Sequence, residues 1–180
     1  MNDAGYEFEI VPPDESVEQG LCSKCSPAEL VSDHAFHKAR AIAKTIPDGI
    51  VIGADTVGEC QGRILGKPVD AEHARQMLEL MSGKEHRVLT GVCLWHRPSD
   101  KKVLHVEQTV LTMDPLSPQW LESYLDTDGW IGKAGAFGFQ DGLDWIHINK
   151  GLASNVVGFP VERLDSLLEK LMKSVEAENE

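Results

Sequence analysis

The chain reads as an α/β domain, a mixed β-sheet with flanking helices, and three observations carry that reading. Segments of strand patterning alternate along the chain with segments of helical periodicity. Ile50-Val51-Ile52-Gly53-Ala54 is short, uncharged and mostly β-branched, the composition of a strand covered on both faces. Residues 88–95 and 103–113 flank a polar turn at Pro98-Ser99-Asp100 and form a long hairpin, which argues against an all-parallel, doubly wound sheet.

Taken in order, residues 6–11 alternate apolar Tyr6, Phe8 and Ile10 with Glu7 and Glu9, the pattern of a strand with one buried face. Ser26-Pro27-Ala28-Glu29 is a capping box with proline at the first helical position, so a helix begins there. Asp70 caps a second helix, whose Ala74, Met77, Leu78 and Met81 share one face and which stops at Ser82-Gly83. After the hairpin, Ser117-Pro118 opens a short helix through Tyr124, and residues 143–148 read as another strand. Leu164, Leu167, Leu168 and Leu171 form the stripe of a closing helix. No repeat or linker divides the chain, so residues 1–180 are expected to form one domain with an acidic tail at 173–180.

The 180 residues carry 29 acidic and 17 basic side chains, a formal net charge of −12. That balance disfavours a nucleic-acid polymer as partner, because tracking phosphates requires a basic stripe. It leaves room for a small phosphorylated ligand held by a few local cations. No apolar run approaches the roughly 20 residues needed to cross a bilayer, so no membrane is expected. The first residues lack a signal-peptide pattern, and four cysteines without an export signal are expected to be reduced thiols in a cytoplasm.

Several side chains are candidates for chemistry. Asp55 follows the buried run at what reads as its C-terminal edge, where α/β proteins place ligands; it can hold a divalent cation, take a proton from water, or cap a turn. Thr56 offers a hydroxyl at the same edge, as ligand or as turn residue. Val31, Ala35, Lys38 and Ile42 step by four, three and four, which puts Lys38 on the inward helix face, where it must snorkel or meet an anion. Lys67, in Gly66-Lys67-Pro68, suits either a phosphate contact or an exposed turn. Lys133 and Gln140 lie among Gly129, Gly132, Gly135, Gly138 and Gly142, a pattern for a loop over a ligand or a tight structural loop. Cys22 and Cys25, with His34 and His37 downstream, have zinc-ligand residue types but no established spacing. His86 and His147 read as structural, and the four tryptophans as core.

Together, these segments resemble the Maf family of nucleoside triphosphate pyrophosphatases. The resemblance rests on Ile52-Gly53-Ala54-Asp55-Thr56-Val57, Ile64-Leu65-Gly66-Lys67-Pro68, Leu80-Met81-Ser82-Gly83, His86-Arg87-Val88-Leu89-Thr90-Gly91, Lys133-Ala134-Gly135-Ala136-Phe137-Gly138-Phe139-Gln140 and Asn155-Val156-Val157-Gly158-Phe159-Pro160, in family order over about residues 5–172. It implies the family's fold and hydrolysis of a nucleoside triphosphate to the monophosphate and pyrophosphate with a divalent cation, Mg²⁺ or Mn²⁺. It implies Asp55 as the base or metal-linked carboxylate and Glu15 as an acidic site residue, also on the metal. Lys38 would be the helix lysine, Lys67 a phosphate-neutralising cation, and Thr56 and Gln140 readers of the base. The wording favours the branch acting on dTTP and UTP, and family likeness implies a homodimer.

One departure stands out. The family normally opens with a strand and a loop reading like L-A-S-x-S-P-R-R, and nothing before Gly5 matches it. The expectation is a domain whose first strand is missing from this sequence, through a recorded start that lies too late. A degenerate, non-catalytic nucleotide-binding or interaction protein is the alternative.

Overall fold

The computed structural model describes residues 5–13, 25–142 and 144–177. Ser26 caps helix α1 (Pro27–Ala43) as its sequence requires: its hydroxyl accepts from the Glu29 amide while the Glu29 carboxylate accepts from the Ser26 amide at 2.9 Å. Strand β1 (Gly49–Cys60) turns through Gln61 and Gly62 into the short β2 (Arg63–Leu65). Asp70 caps α2 (Ala71–Met81) by accepting from the His73 amide at 2.7 Å. Strands β3 (Glu85–Arg97) and β4 (Lys102–Met113) are the two arms of the expected hairpin. Then follow α3 (Pro118–Leu125), two 3₁₀ turns at Ala134–Ala136 and Phe139–Asp141, β5 (Ile146–Lys150), α4 (Ala153–Val157) and α5 (Leu164–Glu176).

The five strands form one sheet in the order β2-β1-β3-β4-β5, with β1–β2 and β4–β5 antiparallel. Helices with strands between them make this the expected α/β class. Among the described residues, no helix is long and apolar enough to cross a membrane.

The chain falls into two compact units. The first comprises Met1–Asp55, Thr90–Val106 and Phe159–Glu180. Its strands are covered on both faces, and the pleat decides which residue meets which helix. Val51, Cys93 and Trp95 pack with Ala35, Ala39 and Ala43 of α1. Their strand neighbours Ile52, Val92 and Leu94 point the other way, onto Leu164, Leu167 and Leu171 of α5. Helix α1 lies unusually close to the sheet because two of the positions beneath it are glycines. A Cβ on Gly53 would collide with the Ala35 carbonyl and stand 2.6 Å from the Ala39 nitrogen. One on Gly91 would collide with the Val31 carbonyl and stand 2.7 Å from the Ser32 nitrogen.

The second unit comprises Thr56–Leu89 and Glu107–Gly158. Met77, Leu78 and Met81 of α2 and Leu121 and Leu125 of α3 close over Val88, Leu111 and Met113. Trp120 and Tyr124 stack beside them, and Trp145 meets both edge to face, with Trp120 and Trp145 ring centres 4.7 Å apart. Buried Asn155 donates to the Val88 carbonyl at 3.1 Å and to Thr109 Oγ1 at 3.0 Å, fixing the short helix α4. His86 is 2 % exposed and meets Phe137 edge-on at 5.7 Å, so it is structural as expected.

Three expectations are corrected. Residues 6–11 are not a strand: Ile10 is 80 % exposed and Phe8 and Val11 are half exposed. Alternation marks a face, but a strand also needs a neighbour for its amides and carbonyls, and no described strand pairs with this one. Tyr6 alone is anchored, donating to Asp165 at 2.5 Å. Strand β5 spans Ile146–Lys150 rather than 143–148; Leu143 lies outside the described residues. Strand β1 runs to Cys60, well past Ala54.

Replacing Gly91 by Ala is expected to lower the unfolding free energy by roughly 1–3 kcal/mol, because backbone rather than a flexible side chain must yield. Gly66→Ala, with nothing within 4 Å of the added carbon, should stay within about 0.5 kcal/mol. Equal midpoints for both in urea unfolding would contradict the close approach of α1.

A second outcome concerns pH. Burial holds the His86 imidazole below its ordinary pKa, against the opposing pull of the Lys84 backbone and the Glu85 charge. The unfolded chain therefore takes up this proton first, and stability is lost as pH falls through about 6.5. Urea unfolding from pH 8 to 5 should show a shallower acid loss in His86→Phe than in the unchanged protein. An unaltered slope would refute it.

Candidate active site

Because β1 continues past Ala54, Asp55 is not at a strand end. It is an interior strand residue, and the pleat puts it on the face that carries Val51 and Gly53, toward α1. Its carboxylate is held there from one helix. Lys38 Nζ donates to Oδ1 at 2.6 Å and to the Ala54 carbonyl at 3.4 Å. One turn earlier on α1, His34 Nδ1 stands 3.0 Å from Oδ2. All three side chains are largely withdrawn from water, at 15 % exposure for His34, 20 % for Lys38 and 12 % for Asp55. Lys38, placed by its spacing on the inward face, thus meets an anion rather than snorkelling.

Thr56 is the next residue on β1, so it projects to the opposite face and does not share the edge expected for it. Its hydroxyl donates to the Gly158 carbonyl at 3.4 Å.

The remaining candidates lie in the second unit. Lys67 is exposed on its turn, and the preceding Gly66 carbonyl accepts from the Gly135 amide at 3.0 Å, which ties that turn to the glycine-rich loop. Within the loop Lys133 Nζ donates to Asp141 Oδ2. The pair closes over Gly138, where a Cβ would stand 2.6 Å from the Asp141 oxygen, so a larger residue there would have to displace the two side chains. Gln140 is exposed on the second 3₁₀ turn. Tyr124 braces this loop, donating to the Ala136 carbonyl at 3.2 Å. Burial pushes its hydroxyl up to about 12, so it stays a donor at neutral pH. The structure therefore joins Asp55 with Lys38, and the Lys67 turn with the Lys133 loop. Glu15 and Cys22 lie outside the described residues.

His34 escaped attention as part of the site because it stood beside His37 and Cys25 in a zinc pattern. The pattern does not hold. Cys25 is disulfide-bonded, which also corrects the expectation of reduced thiols at that position, and His37 faces Asp33 at 3.6 Å. Cys60 and Cys93 are free and buried. Among the described residues, no group of three or more His, Cys, Asp or Glu could hold a metal. The signal available in the sequence was the four-residue spacing from His34 to Lys38, which puts both on one helix flank.

A groove of about 740 Å³ in the first unit borders α1 at Glu29, Ser32, Asp33 and Phe36 and β4 at Leu104 and Val106. Cys25 also lines it, the other described candidate residues do not, and its helical positions fall on the flank opposite His34 and Lys38.

A family model described as "Maf-like protein" matches residues 1–171. A dTTP/UTP pyrophosphatase of Rhodopirellula baltica is 48 % identical over 177 residues, covering 98 % of this chain and 78 % of the relative. A dTTP/UTP pyrophosphatase of Carboxydothermus hydrogenoformans is 40 % identical over 158 residues, 87 % of this chain and 83 % of its own. That of Ruminiclostridium cellulolyticum is 35 % identical over 170 residues, 93 % and 87 % respectively.

The Lys38–Asp55 pair gives a prediction independent of any activity. In a double-mutant cycle with Lys38→Met and Asp55→Asn, urea unfolding should return a coupling of about 1–3 kcal/mol, above the value typical of exposed pairs. Coupling within error of zero would mean the two charges do not stabilise one another.

Proposed function

The chain belongs to the Maf-like protein family, and on that premise we propose that it is a nucleoside triphosphate pyrophosphatase acting first on dTTP and UTP or modified pyrimidine nucleotides. Water attacks the α-phosphate, and nucleoside monophosphate and pyrophosphate are released. The observation that carries the reading is Asp55: a carboxylate on a core strand, withdrawn from solvent and held at both oxygens. Asp55 takes the proton of the attacking water, and Lys38 keeps the carboxylate in place for it. Lys67 and Lys133 neutralise phosphate charge, and Thr56 and Gln140 are the residues proposed to read the base. Phosphoryl chemistry of this kind depends mainly on positioning and charge compensation, so a few placed lysines suffice in a protein whose net charge is −12.

A divalent cation, Mg²⁺ or Mn²⁺, fits the donor set. A carboxylate offers about four lone-pair positions, and the two contacts to Asp55 leave capacity on both oxygens. Hard cations of this type are commonly held by one or two carboxylates together with substrate phosphates. Asp55 would hold it, with Glu15 as the second proposed ligand. A cation held there would supply charge compensation for the triphosphate. The same reading makes the enzyme cytoplasmic, where its substrates are made, and homodimeric.

Incubated with UTP or dTTP and Mg²⁺ or Mn²⁺, the purified chain should release pyrophosphate and the monophosphate in equal amounts, and EDTA should stop it. Asp55→Asn should lower kcat by roughly 100-fold or more while leaving the thermal midpoint within a few degrees. Calorimetric binding of UTP without turnover would instead favour a non-catalytic nucleotide-binding protein.

A further inference from the structure

We infer that His34 is a positioning residue for Asp55, fixing the plane of the carboxylate that Lys38 fixes in place. The inference rests on the reading of Asp55 as the base. An aspartate carboxylate turns easily about its last side-chain bond, whose torsional wells are broad. A single contact, Lys38 on Oδ1 at 2.6 Å, holds one oxygen and leaves the other to swing. The second contact, His34 Nδ1 on Oδ2 at 3.0 Å, removes that freedom. Both contacts come from one rigid element, one turn apart, so the two points move together or not at all.

A carboxylate only accepts, so the proton of this bond sits on Nδ1 and the imidazole donates. The ring does not belong to another cluster: the adjacent His37 is engaged with Asp33 instead. Nor is its placement incidental to packing. The buried residues of α1 are Val31, Ala35, Ala39 and Ala43, and His34 lies on their border with its side chain 15 % exposed. A position whose purpose was core filling has no need of a donor aimed at the Asp55 carboxylate. Groups that orient an active carboxylate or metal ligand in this way typically change activity by 10–100-fold when removed.

The test separates a donor at the Nδ1 position from mere bulk. Asparagine places its amide nitrogen near the Nδ1 position of histidine, whereas glutamine places its nitrogen near the Nε2 position. Steady-state UTP hydrolysis with Mg²⁺ in excess, on the full chain, is expected to show kcat about tenfold lower in His34→Ala and His34→Gln, with KM within about twofold. His34→Asn should recover to within about threefold, and thermal midpoints should not track these rates. Full kcat in His34→Ala, equal rates in the Asn and Gln variants, or a change confined to KM would each overturn the assignment. Asp55→Asn is run alongside. If it keeps the unaltered rate, the reading of Asp55 falls and the role of His34 with it. If it is inactive while His34→Ala is fully active, the His34 assignment falls alone.

Discussion

The contact on which the described site depends is the one between helix α1 and the sheet through Gly53 and Gly91. Two missing side chains let helix backbone lie directly on strand backbone, with carbonyl oxygens of Val31 and Ala35 where Cβ atoms would otherwise stand. The helix answers with Ala35, Ala39 and Ala43, small residues that allow the approach to continue along its length. A helix seated this way cannot slide or roll without meeting a strand backbone, since close-packed interiors yield little. The positions of His34 and Lys38 are consequences of that seating. Each reaches Asp55, which shares its pleat face with Gly53, and a shift of α1 by even one ångström would break the 2.6 Å contact from Lys38.

Charge in this molecule is organised locally rather than by its acidic total. Lys38 faces Asp55, Lys133 faces Asp141, Arg87 meets the buried Glu59 at 2.6 Å, and Arg75 grips Glu122 through two bonds of 2.7 Å. The last is exposed and brings α2 and α3 together at small energetic gain. Glu59 is different. It is 6 % exposed and also accepts from the Gly62 amide at 2.6 Å, so one carboxylate holds both the β1–β2 turn and a β3 arginine. Asp55 follows the same economy, a withdrawn carboxylate with a cation on one oxygen and a second donor on the other. What distinguishes it is the second donor, an imidazole, where Glu59 uses a backbone amide.

Much of the fold could be read from the chain because its signals were local. The capping box at Ser26, the Asp70 cap and the Leu164–Leu171 stripe each specify an element through residues within a few positions of one another, and each element stands where it was expected. The errors share a different cause. Residues 6–11 have strand periodicity, but strand formation is a property of a pair, and the pairing partner is not written into the segment itself. The second half of β1 was missed because Asp55-Thr56 looks like punctuation, when the edge-to-interior character of the strand is decided by its neighbours β2 and β3. At the site, Lys38 could be marked as anomalous from helical spacing alone, yet its partner is a residue 17 positions away. His34 was hidden for the opposite reason, standing near cysteines that supplied a more familiar explanation.

Placing Asp55 within a strand rather than after it changes what its neighbours must do. A carboxylate on a loop can be aimed by the loop, and substitution of one partner can be absorbed by local adjustment. On a strand interior the Cα–Cβ direction is fixed by the pleat, so the only remaining freedom is the torsion of the side chain itself. Two donors from one helix turn are the minimum that removes it. The loop cations are held by another principle: the Lys67 turn and the Lys133 loop are tied through the Gly66 carbonyl and the Gly135 amide, and Lys133 rests on Asp141. A lysine already paired with an exposed aspartate can exchange that partner for a phosphate with little loss, whereas the contacts of a withdrawn carboxylate cannot be exchanged without exposing a charge to an unsolvated surrounding. The contacts between β1 and α1 at Asp55 are therefore the fixed ones, and the Lys133–Asp141 pair of the glycine-rich loop the exchangeable one.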